Sequence, residues 1–304
     1  MTVDPDAAAA EVVDLRTTLG AVEIARDVVR VAGPDAVAYL QGQLSQDVAG
    51  LAVGSSAWSF VLQPAGKVDA WLRVTRAGDD ELVLDVEGGH GDVVLSRLRR
   101  FLLRTKADVD PLDWRAVALR GPGAEAAADE GLADLRVPAG WPRVEGVDLL
   151  GPDVRAPRSV TTVDDVSYES LRIRCGVPAM GAELTEATIP AEVGQRVIDT
   201  SVSFTKGCFT GQELVARIDS RGGNVPRHLR GLEVVGAVTP EPGAAVVVAG
   251  DEVGRVTSAA PRPGAAGTVA LAVVRRAVTP PAAAEVVAGD ARTPATVVDL
   301  PFES

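Results

Sequence analysis

Apolar and polar positions change period several times along the chain, and each change predicts a new element. "EIARDVVRVAGPDAVAYLQGQLSQDVAGL" reads as a strand around Val28–Val31, a Gly-Pro turn and a helix. Pro34 suits the start of that helix, and Val37, Leu40 and Leu44 follow at helical spacing. "AWSFVLQPAGKVDAWLRVTRAGDDELVLDV" carries alternating apolar runs broken by Pro-Ala-Gly and Ala-Gly-Asp-Asp, which predicts a three-stranded meander. "GDVVLSRLRRFLLRTKADV" has the spacing of an amphipathic helix, and another strand is expected at Trp114–Leu119. "GPGAEAAADEGL" then opens a further helix or turn.

From about Trp141 to Pro157 prolines and glycines thin out the pattern, as at a domain crossing. "DDVSYESLRIRCGVP" reads as a helix ended by Gly176 and Pro178. Beyond Pro226 the chain turns to short valine-rich strands and tight turns, which predicts a small barrel-like all-β domain. Helices and strands mix without a strict βαβ rhythm, so the fold class expected is α+β. The expected domains are 1–48 with 142–226, then 49–141, then the barrel at 227–304.

The 304 residues suffice for two or three cores, and the first dozen read as a loose acidic tail. The net charge of −12 means that the whole molecule repels nucleic acid and anionic membranes. Neither a membrane partner nor direct nucleic-acid binding is expected. Two cysteines cannot form a disulfide framework, and no leader or membrane-span pattern is present, so a cytoplasmic protein is expected. His90 and His228 are the only histidines, without zinc-like spacing, and no resident metal is expected.

Lysine is rare here, with three against twenty-seven arginines. One of them lies in "SFTKGCFTGQELVAR", two residues before one of the two cysteines. Thr210 and Glu213 have the T-x-x-E spacing of a capping box, with Leu214, Val215 and Ile218 as the buried face and Gly222-Gly223 as the stop. That places Cys208 at the positive end of a helix with Lys206 nearby, a setting that favours a reactive thiolate. Gly207 and Gly211 let the backbone bend and present amides. On local physics alone, a buried structural cysteine is an equal alternative.

The block "KGCFTGQE" resembles the signature of the YgfZ-like folate-binding proteins, relatives of the glycine cleavage T-protein. The resemblance continues in "VAGPDAVAYLQGQLSQDV", "YESLRIRCGVPAMGAEL", "IPAEV" and "VGRVTSAAPRPGAAGTVALAVVRR", in the same order. It implies three domains in a cloverleaf around a central channel, two of them ferredoxin-like, with tetrahydrofolate or a derivative as cofactor. It further implies assembly or repair of iron–sulfur proteins, with assembly or client proteins as partners. The family's essential cysteine maps to Cys208, with Lys206 as its companion. Lys206, Phe209, Gly211, Gln212, Glu213 and Arg217 share the motif and count as cofactor-binding candidates, together with Trp71 and Arg174.

Two departures from the T-protein pattern change the expected chemistry. Where T-proteins carry paired aspartates, "GKVDAWLRV" has Ala70 and Trp71, with Asp69 one place early. Aminomethyl transfer is therefore disfavoured, and Trp71 becomes a candidate stacking residue. Where T-proteins place a pterin-binding glutamate, this chain has Arg174, which donates only.

The expected function is a folate-binding accessory protein in iron–sulfur assembly or repair, using a reactive Cys208 next to the folate channel. The alternatives are an aminomethyltransferase or demethylase, and a non-catalytic scaffold with an altered pocket. Arg97, Arg99, Arg100, Arg104 and Lys106 read as a solvated face, with a folate tail or RNA as the functional alternative. Arg217, Arg221, Arg227, His228 and Arg230 form the second candidate anion patch, and Cys175 reads as packing.

Overall fold

The computed structural model describes residues 12–236 and 238–303, so most of the acidic tail lies outside the described residues. The chain begins with β1 (Gly20–Ile24), β2 (Arg26–Ala32), α1 (Ala36–Gln43), β3 (Ser56–Leu62), β4 (Val68–Arg76), β5 (Glu81–Glu87) and α2 (Gly91–Arg100). It continues with β6 (Asp108–Leu112), β7 (Arg115–Arg120), α3 (Ala124–Ala128), β8 (Leu135–Pro138), β9 (Gly146–Gly151), β10 (Thr161–Thr162) and α4 (Asp165–Arg174). A 3₁₀ turn at Pro190–Val193 leads to α5 (Gln195–Ser201) and α6 (Gln212–Asp219). The last six strands are β11 (Arg227–Val234), β12 (Ala245–Val248), β13 (Asp251–Pro261), β14 (Thr268–Arg275), β15 (Ala282–Ala288) and β16 (Ala291–Val298).

These strands form the expected α+β architecture of two five-stranded sheets and a closed six-stranded barrel. The first sheet has the order β10-β1-β7-β9-β8, and the second β3-β4-β5-β2-β6. The meander of β3, β4 and β5 pairs antiparallel, as its alternation requires. α1 and α2 cover one face of the second sheet. Its other face meets the first sheet, where Val28 and Val83 pack against Ala116, Val137 and Leu150. The barrel closes in the order β11-β14-β13-β12-β15-β16 around Leu232, Val246, Val256, Val274 and Val297.

Strand pairing divides the chain differently from the expected segments. β2 lies within 1–48, yet it pairs with β5 and β6. β9 falls inside the expected crossing at 141–157, yet it lies between β7 and β8. Val147 to Gly151 are buried on both faces, which erases the alternation that marks a half-exposed strand. Pro34 sits in the turn before α1 rather than in its first helical position.

The capping box at Thr210 and Glu213 does not form either. α6 is entered through Gly211 at φ +81, without a side-chain cap. The amide of Thr210 bonds instead to the carbonyl of Gly42, which draws the loop away from helical entry. α4 does have a side-chain cap, because Asp164 accepts from the Ser167 amide at 2.8 Å.

Candidate functional site

A cavity of about 560 Å³ lies between the two sheets and α4. That is within the size range of small-molecule sites. Trp58 of β3, Trp71 of β4, Trp141 and Tyr168 of α4 form its aromatic walls. Trp58 and Trp71 stack, with ring centroids 4.1 Å apart and planes inclined by 19°. The Trp71 indole donates to Ser201 Oγ at 2.9 Å, and the Trp58 indole to the Ala139 carbonyl at 3.1 Å. Both rings are fixed by these bonds, and the wall they form is pre-organised.

Beneath the aromatic wall runs a ladder of buried charges. Arg26 and Arg73 both bind Asp85, Arg73 also binds Asp148 at 2.9 Å, and Arg120 binds Asp148 at 2.8 Å. Arg73 and Asp85 belong to the second sheet, Asp148 and Arg120 to the first, so the ladder joins the two. Burial opposes the Asp148 carboxylate, but Arg120 and Arg73 prevail and hold its pKa down to about 2. Burial also opposes the Arg73 cation, which Asp85 and Asp148 more than offset.

Arg120 keeps an unused donor inside the ladder. It is 1% exposed and lines the cavity, and its Nε is buried without a hydrogen-bond partner. Its guanidinium carbon lies 4.4 Å from the Trp141 ring centroid and 5.5 Å from that of Tyr168. Carboxylates line the same space from Glu23, Glu87, Asp165 and Glu169. Glu169 is bound in a bidentate pair by Arg172, which continues to buried Glu183 and to Ser258 of the barrel. The barrel adds no lining residue, but through Ser258 it backs the helix that does.

Of the residues expected from the sequence, Trp71 alone lines this cavity. Arg174 points elsewhere, into an ion pair with Asp14 at 2.7 Å. Burial favours the neutral Asp14 carboxyl, yet the bonds from Arg174 and Arg16 hold its pKa below the ordinary value. Ala70 faces the core, and Asp69 lies at a β-bulge, 3.6 Å from Arg97 and outside the cavity. The residues that α4 does contribute are Asp165, Tyr168, Glu169 and Arg172. Their i, i+3, i+4, i+7 spacing marks one helix face and was readable in the sequence.

The Lys-Gly-Cys segment forms a separate feature. Cys208 is exposed on the loop before α6 and does not line the cavity, whereas Cys175 is buried. Lys206 Nζ donates to the carbonyls of Gln41, Leu44 and Gln46 at 2.6, 2.7 and 2.8 Å. Burial pulls its pKa down to about 8, with Asp47 acting in the opposite sense. Phe209 packs against the main core, and its amide donates to Gln212 Oε1 at 3.1 Å. Glu213 and Arg217 are exposed. A Cβ on Gly211 would lie 2.5 Å from the Gln63 carbonyl, so only glycine lets α6 start against the β3–β4 hairpin.

The two basic clusters are partly neutralised. Arg97 stacks on Phe101, with Asp69 nearby, while Arg227 pairs with Glu192 and Arg230 with Asp299. No helix among the described residues is long and apolar enough to cross a membrane.

Two facing sheets, a closed barrel and a cavity together define a multi-domain α+β class of protein, and the comparisons agree with that class. Residues 3–159 match the family model of the GCVT N-terminal domain, and residues 227–303 that of the glycine cleavage T-protein C-terminal barrel domain. The chain belongs to this family and is a YgfZ-like protein related to the T-protein. It is 30% identical over 220 residues to the tRNA-modifying protein YgfZ of Edwardsiella ictaluri, a match covering 64% of this chain and 65% of that one. It is 28% identical over 315 residues to an aminomethyltransferase of Streptomyces avermitilis, covering 90% and 83%. The fold is like that of glycine cleavage system aminomethyltransferase T from Bartonella henselae, with a TM-score of 0.77 at 23% identity over 95% of this chain and 87% of that one.

Proposed function

We propose that the protein binds a reduced folate in the cavity and acts through Cys208 as an accessory factor in iron–sulfur protein assembly or repair. The observation that carries the folate reading is the cavity wall, in which four aromatic rings and an unpaired donor of Arg120 meet carboxylates of α4 and β5. A pterin is planar, with a donor edge and a carbonyl. Trp58, Trp71, Trp141 and Tyr168 would hold its faces, Glu169 or Glu87 its donor edge, and Arg120 an acceptor. The missing T-protein glutamate at Arg174 therefore does not leave the cavity without acceptors.

Aminomethyl transfer is not the favoured reading. The T-protein aspartate pair is replaced by buried Ala70 and the stacking Trp71, and the nearest carboxylate in sequence, Asp69, is directed at Arg97. The chemistry left to this chain is that of the exposed Cys208 thiol, which needs partner ligands to handle a cluster.

Two measurements test the proposal. Calorimetric titration with tetrahydrofolate is expected to show saturable binding, weakened at least about tenfold by Glu169→Gln or Arg120→Met through loss of a charged hydrogen bond. No binding heat in the parent at several temperatures, together with no displacement in equilibrium dialysis, would sink the folate reading. In a strain lacking the gene, Cys208→Ser is expected not to restore iron–sulfur enzyme activity. Full restoration would remove the thiol from the function.

A further inference from the structure

The last carbonyls of a helix have no partners within it. In α1 they are met by the Lys-Gly-Cys loop from far along the chain. Gln41, Leu44 and Gln46 give their oxygens to the Lys206 ammonium, and Gly42 gives its oxygen to the Thr210 amide at 3.2 Å. α1 has no basic residue in its own last turn, so Lys206 also supplies the cation that this end of the helix dipole favours. Cys208 is the residue midway between the two attachments. Its neighbour Phe209 is packed into the main core, with Lys206 Nζ 5.3 Å from the ring centroid.

We propose that Lys206 is a positioning residue for Cys208: bound to one carbonyl in the last turn of α1 and two just beyond it, it fixes where the loop of residues 203–211 presents the thiol. The inference rests on the reading of Cys208 as the working group. An ammonium has three donors, and three acceptors already take them. No N–H of Lys206 is left to bind a ligand or to stabilise a reacting atom. The acceptors also converge on one nitrogen, a geometry suited to a compact ammonium. A guanidinium spreads its donors over a planar fork and cannot reproduce it. The backbone on the far side is held independently, since Gly211 lies against the β3–β4 hairpin. Losing Lys206 therefore frees one side of the cysteine while leaving the other attached.

The test uses the full chain carrying Lys206→Met or Lys206→Arg, followed by hydrogen exchange and by activity. Protection on the Lys206 side of the cysteine, read at the residue-206 amide that donates to Ser203 Oγ, is expected to fall at least about tenfold in both variants, while the Thr210 and Gln212 amides keep theirs. Amides of the barrel are expected to keep their parental protection, which shows that the variants remain folded. In a strain lacking the gene, Lys206→Met with Cys208 intact is expected to be as inactive as Cys208→Ser. Unchanged loop protection overturns the proposal, as does full recovery of protection in Lys206→Arg. Lost protection with parental activity, when Cys208→Ser is inactive, overturns the positioning role alone. Parental activity of Cys208→Ser overturns the reading on which it rests.

Discussion

Asp148 has both carboxylate oxygens committed, one to Arg73 and one to Arg120. Asp148→Asn leaves two buried guanidiniums facing each other and is expected to destabilise the fold by about 3–5 kcal/mol. Its pKa is held down to about 2 in the fold, against the ordinary carboxyl value of 3.8. The stabilisation is therefore fully present above 3.8 and is lost as pH falls through 2. This linkage is worth roughly 2 kcal/mol. Thermal unfolding followed from neutral pH into this acid window should show a steeper decline for the parent than for Asp148→Asn; parallel curves would contradict the assignment. Arg73 gave no hint of this in the sequence. In "WLRVTR" it reads as the outward member of an alternating strand, and its partner Asp148 becomes visible only when the two sheets face each other.

At the level of elements, the joint between α6 and the β3–β4 hairpin depends on two glycines with positive φ, Gly66 at +77 and Gly211 at +81. A Cβ on Gly66 would lie 2.5 Å from Leu214 Cβ, and one on Gly211 2.7 Å from Leu62 Cβ. Gly211→Ala is expected to cost more than about 1 kcal/mol in denaturant unfolding through strain and overlap. Gly207→Ala is the control, because nothing lies within 4 Å of its Cβ position. The meander was legible because Pro-Ala-Gly and Ala-Gly-Asp-Asp turns bound its apolar runs, and barrel strands such as β13 and β15 because one face is buried and the other is less so. The start of α6 was not, because a long-range bond from Thr210 to Gly42 overrides a locally favourable cap. β9 was missed for the converse reason, burial without alternation.

Across the whole molecule, the cavity draws its walls from residues between Glu23 and Pro178, on both sheets and α4. A ligand there ties these parts together and should stabilise them as one unit. Tetrahydrofolate at a hundred times its dissociation constant is expected to add about 2.7 kcal/mol to unfolding. A calorimetric scan showing no upward shift under those conditions would contradict binding to the native state. The family motif was plain in the sequence, but it marks the loop that carries Cys208, away from the cavity wall. The wall is assembled from parts that only the tertiary fold brings together: Trp58, Trp141, Arg120 and the face of α4. The Trp58–Trp71 pair has one more consequence. Indole rings 4.1 Å apart share their electronic excitation, so the pair should give a coupled signal in far-ultraviolet circular dichroism. The molecule thereby carries its own optical gauge, able to register events in the cavity without an attached dye.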